Sequence, residues 1–317
     1  MLGVVVSLGS ALAFSLSSVA TRRAVLKAPV SHGTFVTVLM GVPLFLIVCL
    51  LTGQILNVAD LSAKEYGLLA LAGVIHYVVG RSFNYAGVAA IGATRSGPIN
   101  ALNLPYSATL AWLFLGEDMS LGIVLGIILA LIGPLLMFEP RRSAPQPVPV
   151  PVPPPSGTAA ATATLEAAPA IEMQSIGYVY AVLCAICYGS SPVLIRSALE
   201  GHSGVSILGG LAAYSAASLF LILSLALPSR RGLVAALNVS TLKAFFAAGF
   251  FVWLAQMLNF VALTLASVAV VATFIRFSNV FTLVISYIYN RRLEMITVRV
   301  VLGVLLSVAG AMVMVLN

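Results

Sequence analysis

Apolar residues run along this chain in long, nearly unbroken blocks separated by short polar connections. Ten blocks can be read, at residues 2–21, 34–52, 66–88, 94–115, 120–138, 176–196, 204–227, 242–264, 268–289 and 297–316. Each is close to the roughly 20 residues that a helix needs to cross a hydrocarbon core about 30 Å thick. None resolves into ten-residue segments of alternating polarity, so a β-barrel is disfavoured. The pattern predicts an all-α membrane protein of ten transmembrane helices, in which every backbone group is satisfied within its own segment.

Composition agrees. Of 317 residues 61% are hydrophobic and 8% charged, and mean hydropathy is +1.09, whereas soluble domains carry roughly 25% charged residues. No stretch is left over for an extramembrane domain. The formal charge of +7 comes mostly from basic residues in short loops, where they set topology, so no nucleic-acid partner is expected. Cys49, Cys184 and Cys187 all fall inside apolar blocks. The last two form a CxxC, but no second pair or nearby histidine accompanies it, and buried packing is the expected role. Neither a metal nor a cofactor is expected.

The chain repeats. A shift of 174 lays "GVVVSLGSALAFSLSSVATRRA" from Gly3 on "GYVYAVLCAICYGSSPVLIRSA" from Gly177, matching Ser17 with Ser191, Arg22 with Arg196 and Phe14 with Tyr188. The "SSVA" before "TRR" resembles a signal-peptide cleavage region, but a removable signal would not recur in mid-chain. A shift of 175 pairs Asn84 with Asn259, and one of 177 pairs Glu117 with Glu294 and Gly133 with Gly310. The expected organisation is a first five-helix repeat over 1–140, a linker over 141–174 and a second repeat over 175–317. Nine of the sixteen prolines lie between Pro140 and Pro169, which reads as an extended or disordered spacer. Because five is odd, the second repeat enters the membrane from the opposite side. Inverted-topology repeats characterise secondary transporters with a midplane substrate site between the halves.

Two five-helix halves, the first-helix patterns "FSLSSVATR" and "YGSSPVLIR", and "LPYSATLAWLFLGEDMS" before a glycine-rich fifth block resemble the EamA-like branch of the drug/metabolite transporter superfamily. The second copy, "VFTLVISYIYNRRLE", departs from the pattern in lacking proline. The resemblance implies a carrier with no catalytic reaction and a central cavity lined by the first, third and fourth helices of each half. The fifth and tenth helices would lie outside it, often in homodimer contact. It also implies a small-molecule substrate, a lipid bilayer as surroundings and, for a bacterial protein, the inner membrane.

All nine acidic residues fall in loops or at block ends, whereas Arg81, Arg95 and Arg276 lie within blocks. An arginine near the bilayer centre costs on the order of 3 kcal/mol on insertion scales and usually faces a bundle interior. With no buried carboxylate to neutralise them, a bound anion is the natural partner, and the guanidinium fork suits a carboxylate, sulfonate or phosphate. Arg276, near the middle of the ninth block, is the principal candidate. Helical spacing adds Tyr77, Arg81 and Asn84 in the third block and Ser96, Asn100, Asn103 and Ser107 in the fourth. It also adds Trp253, Gln256 and Asn259 in the eighth block and Thr273, Arg276 and Asn279 in the ninth. Phe14 and Tyr188 would wall an apolar part of the cargo.

The expectation is therefore alternating-access transport of a small organic anion or zwitterion. The alternative is export of neutral or hydrophobic metabolites, with the arginines structural, snorkelling or bound to backbone carbonyls. Asn and Ser serve equally as interhelical glue. A lone His76 reads as a hydrogen-bonded packing residue rather than a proton carrier. A lipid-headgroup enzyme would need a general base or metal ligands that the blocks do not offer.

Orientation sets two arguments against each other. The resemblance places Met1 in the cytoplasm. The loop basics, among them Arg22, Arg23, Lys27, Arg141, Arg142, Arg230, Arg231, Lys243, Arg291 and Arg292, favour both termini outside with the linker cytoplasmic.

Overall fold

The computed structural model describes residues 2–115, 120–137, 169–199, 201–202, 204–227, 234, 237–265, 274–290, 293–294 and 296–316. Among them every regular element is a helix. The first half contains α1 (Leu2–Val25), α2 (Val30–Leu39), α3 (Gly41–Leu51), α4 (Ala63–Gly73), α5 (Arg81–Ile91), α6 (Ala93–Asn100), α7 (Asn103–Leu115) and α8 (Leu121–Met137). The second contains α9 (Pro169–Leu199), α10 (Ser206–Ser224), α11 (Val239–Leu265), α12 (Phe277–Tyr289) and α13 (Val298–Leu316). Each of the ten apolar blocks thus carries helix. Glu117, Thr273 and residues 141–168 of the expected linker lie outside the described residues, while its last six positions, 169–174, belong to α9 and are helical and not an extended spacer.

Six described segments are long and apolar enough to cross a membrane, and three shorter apolar helices accompany them. Their outward faces are apolar too: Leu121, Leu125, Leu131 and Leu135 of α8 are all exposed. A surface of that kind faces lipid or a partner rather than water.

Several blocks are not single helices. α2 and α3 meet at Met40, and a π-helical turn, Val74–Gly80, joins α4 to α5. The fourth block breaks at Ala101 and Leu102. Pro105 has no N–H to return to Ala101, although Leu104 N still donates to Ala101 O at 3.2 Å, and a missing donor weakens the ladder where Pro98 already interrupts it. In the ninth block the described helix starts at Phe277, with Arg276 at its N-cap. Phe274 and Ile275 are helical too, so Arg276 stands at a one-residue break within the apolar run. Registers of 175 to 177 set Arg276 opposite Ile99 to Ala101, so both halves interrupt the same helix at the same place.

Caps cross between segments. Ser62 and Glu65 form a reciprocal capping box at the start of α4, as the S-x-x-E spacing allows. Gln54 Oε1 accepts from Ile207 N at 2.9 Å and Leu208 N at 3.3 Å, capping α10 of the other half.

Packing between halves is reciprocal. α1 lies along α11 and α12, while its repeat counterpart α9 lies along α4, α5, α6 and α7. α2 packs on α11, and α10 packs on α4. α8 and α13 pack on each other, and a Cβ at Gly133 would overlap Ser307 Oγ. Serines bind the first of these seams: Ser10 Oγ donates to Ala255 O and Ser17 Oγ to Ala248 O, at 2.8 and 2.9 Å. The main buried cluster gathers Phe45, Leu69, Tyr77 and Tyr214 between α3, α4 and α10.

Candidate functional site

The polar residues of the third block divide between two neighbourhoods. Arg81, only 2% exposed, points to α2 and α10. Its Nη2 donates to Tyr214 Oη at 2.8 Å and its Nη1 to Thr37 O at 3.2 Å. The guanidinium carbon lies 5.2 Å from the Tyr77 ring centroid and 5.4 Å from that of Tyr214. Tyr85 Oη donates to Thr37 Oγ1 at 3.1 Å, closing the box. The cation is thus held by one phenol, a carbonyl and two ring faces, which are favourable partners for a desolvated guanidinium.

Asn84 turns the other way, to α6. Asn100 Nδ2 donates to Asn84 Oδ1 at 2.8 Å and approaches Ser96 Oγ at 3.4 Å. Arg81 and Asn84 are three residues apart and do not converge, because Tyr85, four residues on, takes the place beside Arg81.

The widened turn Val74–Gly80 brings the adjacent rings of His76 and Tyr77 to 4.7 Å. His76 stacks on Tyr188 at 4.2 Å, and its Nδ1 lies 2.6 Å from Ser191 Oγ. His76 is a hydrogen-bonded packing residue here, and Tyr188 packs on it. Phe14, the repeat mate of Tyr188, is half-buried on α1.

The two interrupted helices carry the other candidates. α12 packs on α1 and α6, and Ser15 Oγ of α1 ties it by donating to Ser278 O at 2.8 Å. Asn279 sits so close to α6 that a Cβ at Gly97 would lie 2.9 Å from its Oδ1. A register of 176 makes Asn103, at the start of α7, its counterpart. Asn103 backbone atoms border Gly189 of α9. Arg95 is fully buried in the first turn of α6. On α11, Gln256 and Asn259 are half-buried, and Trp253 packs against the Phe45–Tyr214 cluster.

Four of these side chains keep buried polar atoms without a partner among the described residues. They are the acceptors Asn100 Oδ1 and Asn103 Oδ1 and the donors Trp253 Nε1 and Arg276 Nε. Buried polar atoms are nearly always paired, and each one left unpaired costs about 1–3 kcal/mol. Arg276 is the single non-helical residue between Ile275 and Phe277, and its carbonyl accepts from Asn279 N at 3.2 Å. Chemically, the set comprises both donors and acceptors.

Sequence reasoning did not find Tyr214, Thr37 or Ser191, which complete the arginine and histidine contacts. Tyr214 lies 133 positions from Arg81, and only the pattern of an uncompensated intramembrane cation could have prompted a search for it. It also missed a polar knot at one end of the bundle. Glu294 Oε1 accepts from Ala93 N at 2.8 Å, and Oε2 accepts from Thr94 N and Thr94 Oγ1 at 3.2 and 2.7 Å. Arg22 Nε lies 3.6 Å from that carboxylate, and its Nη1 donates to Val88 O and Ala89 O.

The chain matches the model of the EamA-like transporter family in two segments, residues 1–139 and 175–316. A crystal structure of a protein 14% identical aligns over 98% of this chain and 95% of that one with a TM-score of 0.54, a likeness of fold. No curated protein matches the chain in sequence.

Proposed function

Because the chain belongs to the EamA-like transporter family, a family of multi-pass membrane carriers of small molecules, we propose that it moves a small organic anion or zwitterion by alternating access. Its ten apolar blocks would cross the bilayer as two inverted five-helix repeats, with the substrate held between them. The reciprocal packing of α1 and α9 onto the opposite half supports this arrangement, as do matching interruptions at Ala101 and Arg276.

The observation that carries the substrate class is the set of unpaired atoms at the interrupted helices. A carboxylate or phosphate would take Arg276 Nε, and a substrate ammonium or hydroxyl would take Asn100 Oδ1 and Asn103 Oδ1. Asn279, Gln256, Asn259 and Trp253 would orient the guest, with Phe14 and Tyr188 flanking it. Arg81 takes a positioning role: its contacts to Tyr214 and Thr37 join α5, α10 and α2. The outer apolar face of α8 and α13 is the surface available to lipid or to a second copy of the chain. A bacterial inner membrane is the setting that this reading implies.

A thermal-shift screen of the purified protein against organic acids, amino acids, sulfonates, phosphorylated metabolites and neutral compounds tests the class. The expected result is stabilisation by an anion or zwitterion that disappears in Arg276→Gln. Stabilisation by neutral compounds alone would exclude the proposal.

A further inference from the structure

A groove of about 360 Å³ runs between α1, α11 and the C-terminal half of α12, and none of the candidate substrate residues lines it. Its walls are apolar, including Leu16, Val19, Phe251 and Ile285, and its mouth carries Arg23, Lys27 and Lys243. No carboxylate lines it, and among the described residues neither lysine joins an ion pair. Arg23 is set in place rather than free. Its Nε donates to Asn290 Oδ1 at 2.7 Å, Asn290 Nδ2 donates to Val19 O at 3.1 Å, and the guanidinium sits 5.9 Å from the Tyr289 ring centroid.

The three cations mark one end of the helices: Arg23 lies in the last turn of α1, Lys27 follows it, Lys243 is near the start of α11, and Tyr289 closes α12. From Lys27 the groove descends along α1 to Leu16, about 16 Å at 1.5 Å per residue. That is half of a hydrocarbon core of about 30 Å, the depth of one leaflet. Apolar walls below a basic rim with an interfacial tyrosine match a phospholipid with an anionic headgroup, its phosphate at the lysines and one acyl chain along Leu16, Phe251 and Ile285.

We infer that this groove is a binding site for an anionic phospholipid, separate from the substrate path and independent of the substrate class proposed above. A neutral lipid would fill the apolar part equally but leave the ammonium groups unpaired, so the selectivity resides in Lys27 and Lys243.

Native mass spectrometry of the purified full-length protein tests this. Dioleoyl phosphatidylglycerol, dioleoyl phosphatidylcholine and glycerol 3-phosphate would be added at equal concentrations to the wild type, to Lys27→Gln/Lys243→Gln and to Ala247→Phe. All three positions are exposed, so the variants keep the buried core. The expected result is retention of phosphatidylglycerol over phosphatidylcholine by the wild type. The double variant should lose that affinity by roughly 10- to 30-fold, and Ala247→Phe, which fills the groove with charges intact, should lose it as well. Equal retention of the two lipids, or undiminished phosphatidylglycerol binding in either variant, would overturn the inference. Glycerol 3-phosphate binding as tightly as the lipid would also overturn it, by assigning the cations to a free phosphate.

Discussion

Glu294 follows α12 in the second half of the chain, yet its carboxylate caps α6 in the first, accepting from Ala93 N at 2.8 Å and Thr94 Oγ1 at 2.7 Å. Gly92 makes this possible. It adopts φ 84° and ψ 164°, and a Cβ there would overlap Glu294 Oε2. Arg22 adds the positive partner and also binds the last carbonyls of α5 through Val88 and Ala89. One carboxylate and one guanidinium therefore join the ends of α1, α5, α6 and α12.

Glu294→Ala should lower the thermal midpoint of the detergent-purified protein, at a cost of about 2 kcal/mol for a lost charged cap and an unpaired Arg22. Glu294→Gln should cost less, because one amide oxygen can still accept from Ala93 N. Gly92→Ala should cost about 1–3 kcal/mol through its backbone region alone. Differential scanning fluorimetry of the three variants checks the order.

Tyr214→Phe removes the phenol that accepts from Arg81 Nη2. A hydrogen bond to a buried charge contributes about 1.5–3 kcal/mol, so the variant should melt earlier. If Arg81 positions helices and does not touch the guest, ligand preference in the thermal-shift screen should remain that of the wild type.

Ser10→Ala and Ser17→Ala each remove one bond across the seam between α1 and α11. Each should cost about 0.6 kcal/mol, the usual value for interhelical polar contacts in membranes. Substitutions at two contacts on one rigid seam should add nearly linearly in the same melting experiment.

Helix placement was legible from hydropathy because crossing lipid demands long apolar runs, and all ten runs carry helix. The interruptions were not. A window of hydropathy is indifferent to one missing backbone bond, and Ala101, Leu102 and Arg276 sit inside runs whose average remains apolar. Pro98 and Pro105 signalled the first break, but the second half has no proline there. Helical spacing grouped Asn84 with Arg81, whereas the structure separates them, since three and four residues along a helix differ by about 100° and Tyr85 took the nearer place. Glu294 read as a loop residue because burial by a distant segment leaves no local mark. The intramembrane arginines without acids were visible at once. That two of them differ, Arg81 enclosed by Tyr214 and Thr37 and Arg276 with an unpaired Nε, depends on contacts between elements far apart in sequence.

For orientation the basic loops favour termini outside, against the family resemblance. Single cysteines at Ser143 and Asn317 in a cysteine-free background, treated on intact cells with an impermeant maleimide, should label at 317 and not at 143. The reverse pattern would put Met1 in the cytoplasm.

The central claim is that Arg276 binds the anionic group of the substrate, and counterflow in proteoliposomes tests it most directly. The compound that stabilises the purified protein best would be preloaded, and exchange of its labelled form would be followed for the wild type, Arg276→Lys and Arg276→Gln. Loss of a charged hydrogen bond of about 1.5–3 kcal/mol corresponds to a roughly 10- to 150-fold fall in exchange for Arg276→Gln, with partial retention in Arg276→Lys. Both variants should keep a melting temperature near that of the wild type. Exchange by Arg276→Gln at the wild-type rate, or loss of exchange that merely follows loss of folding, would contradict the account.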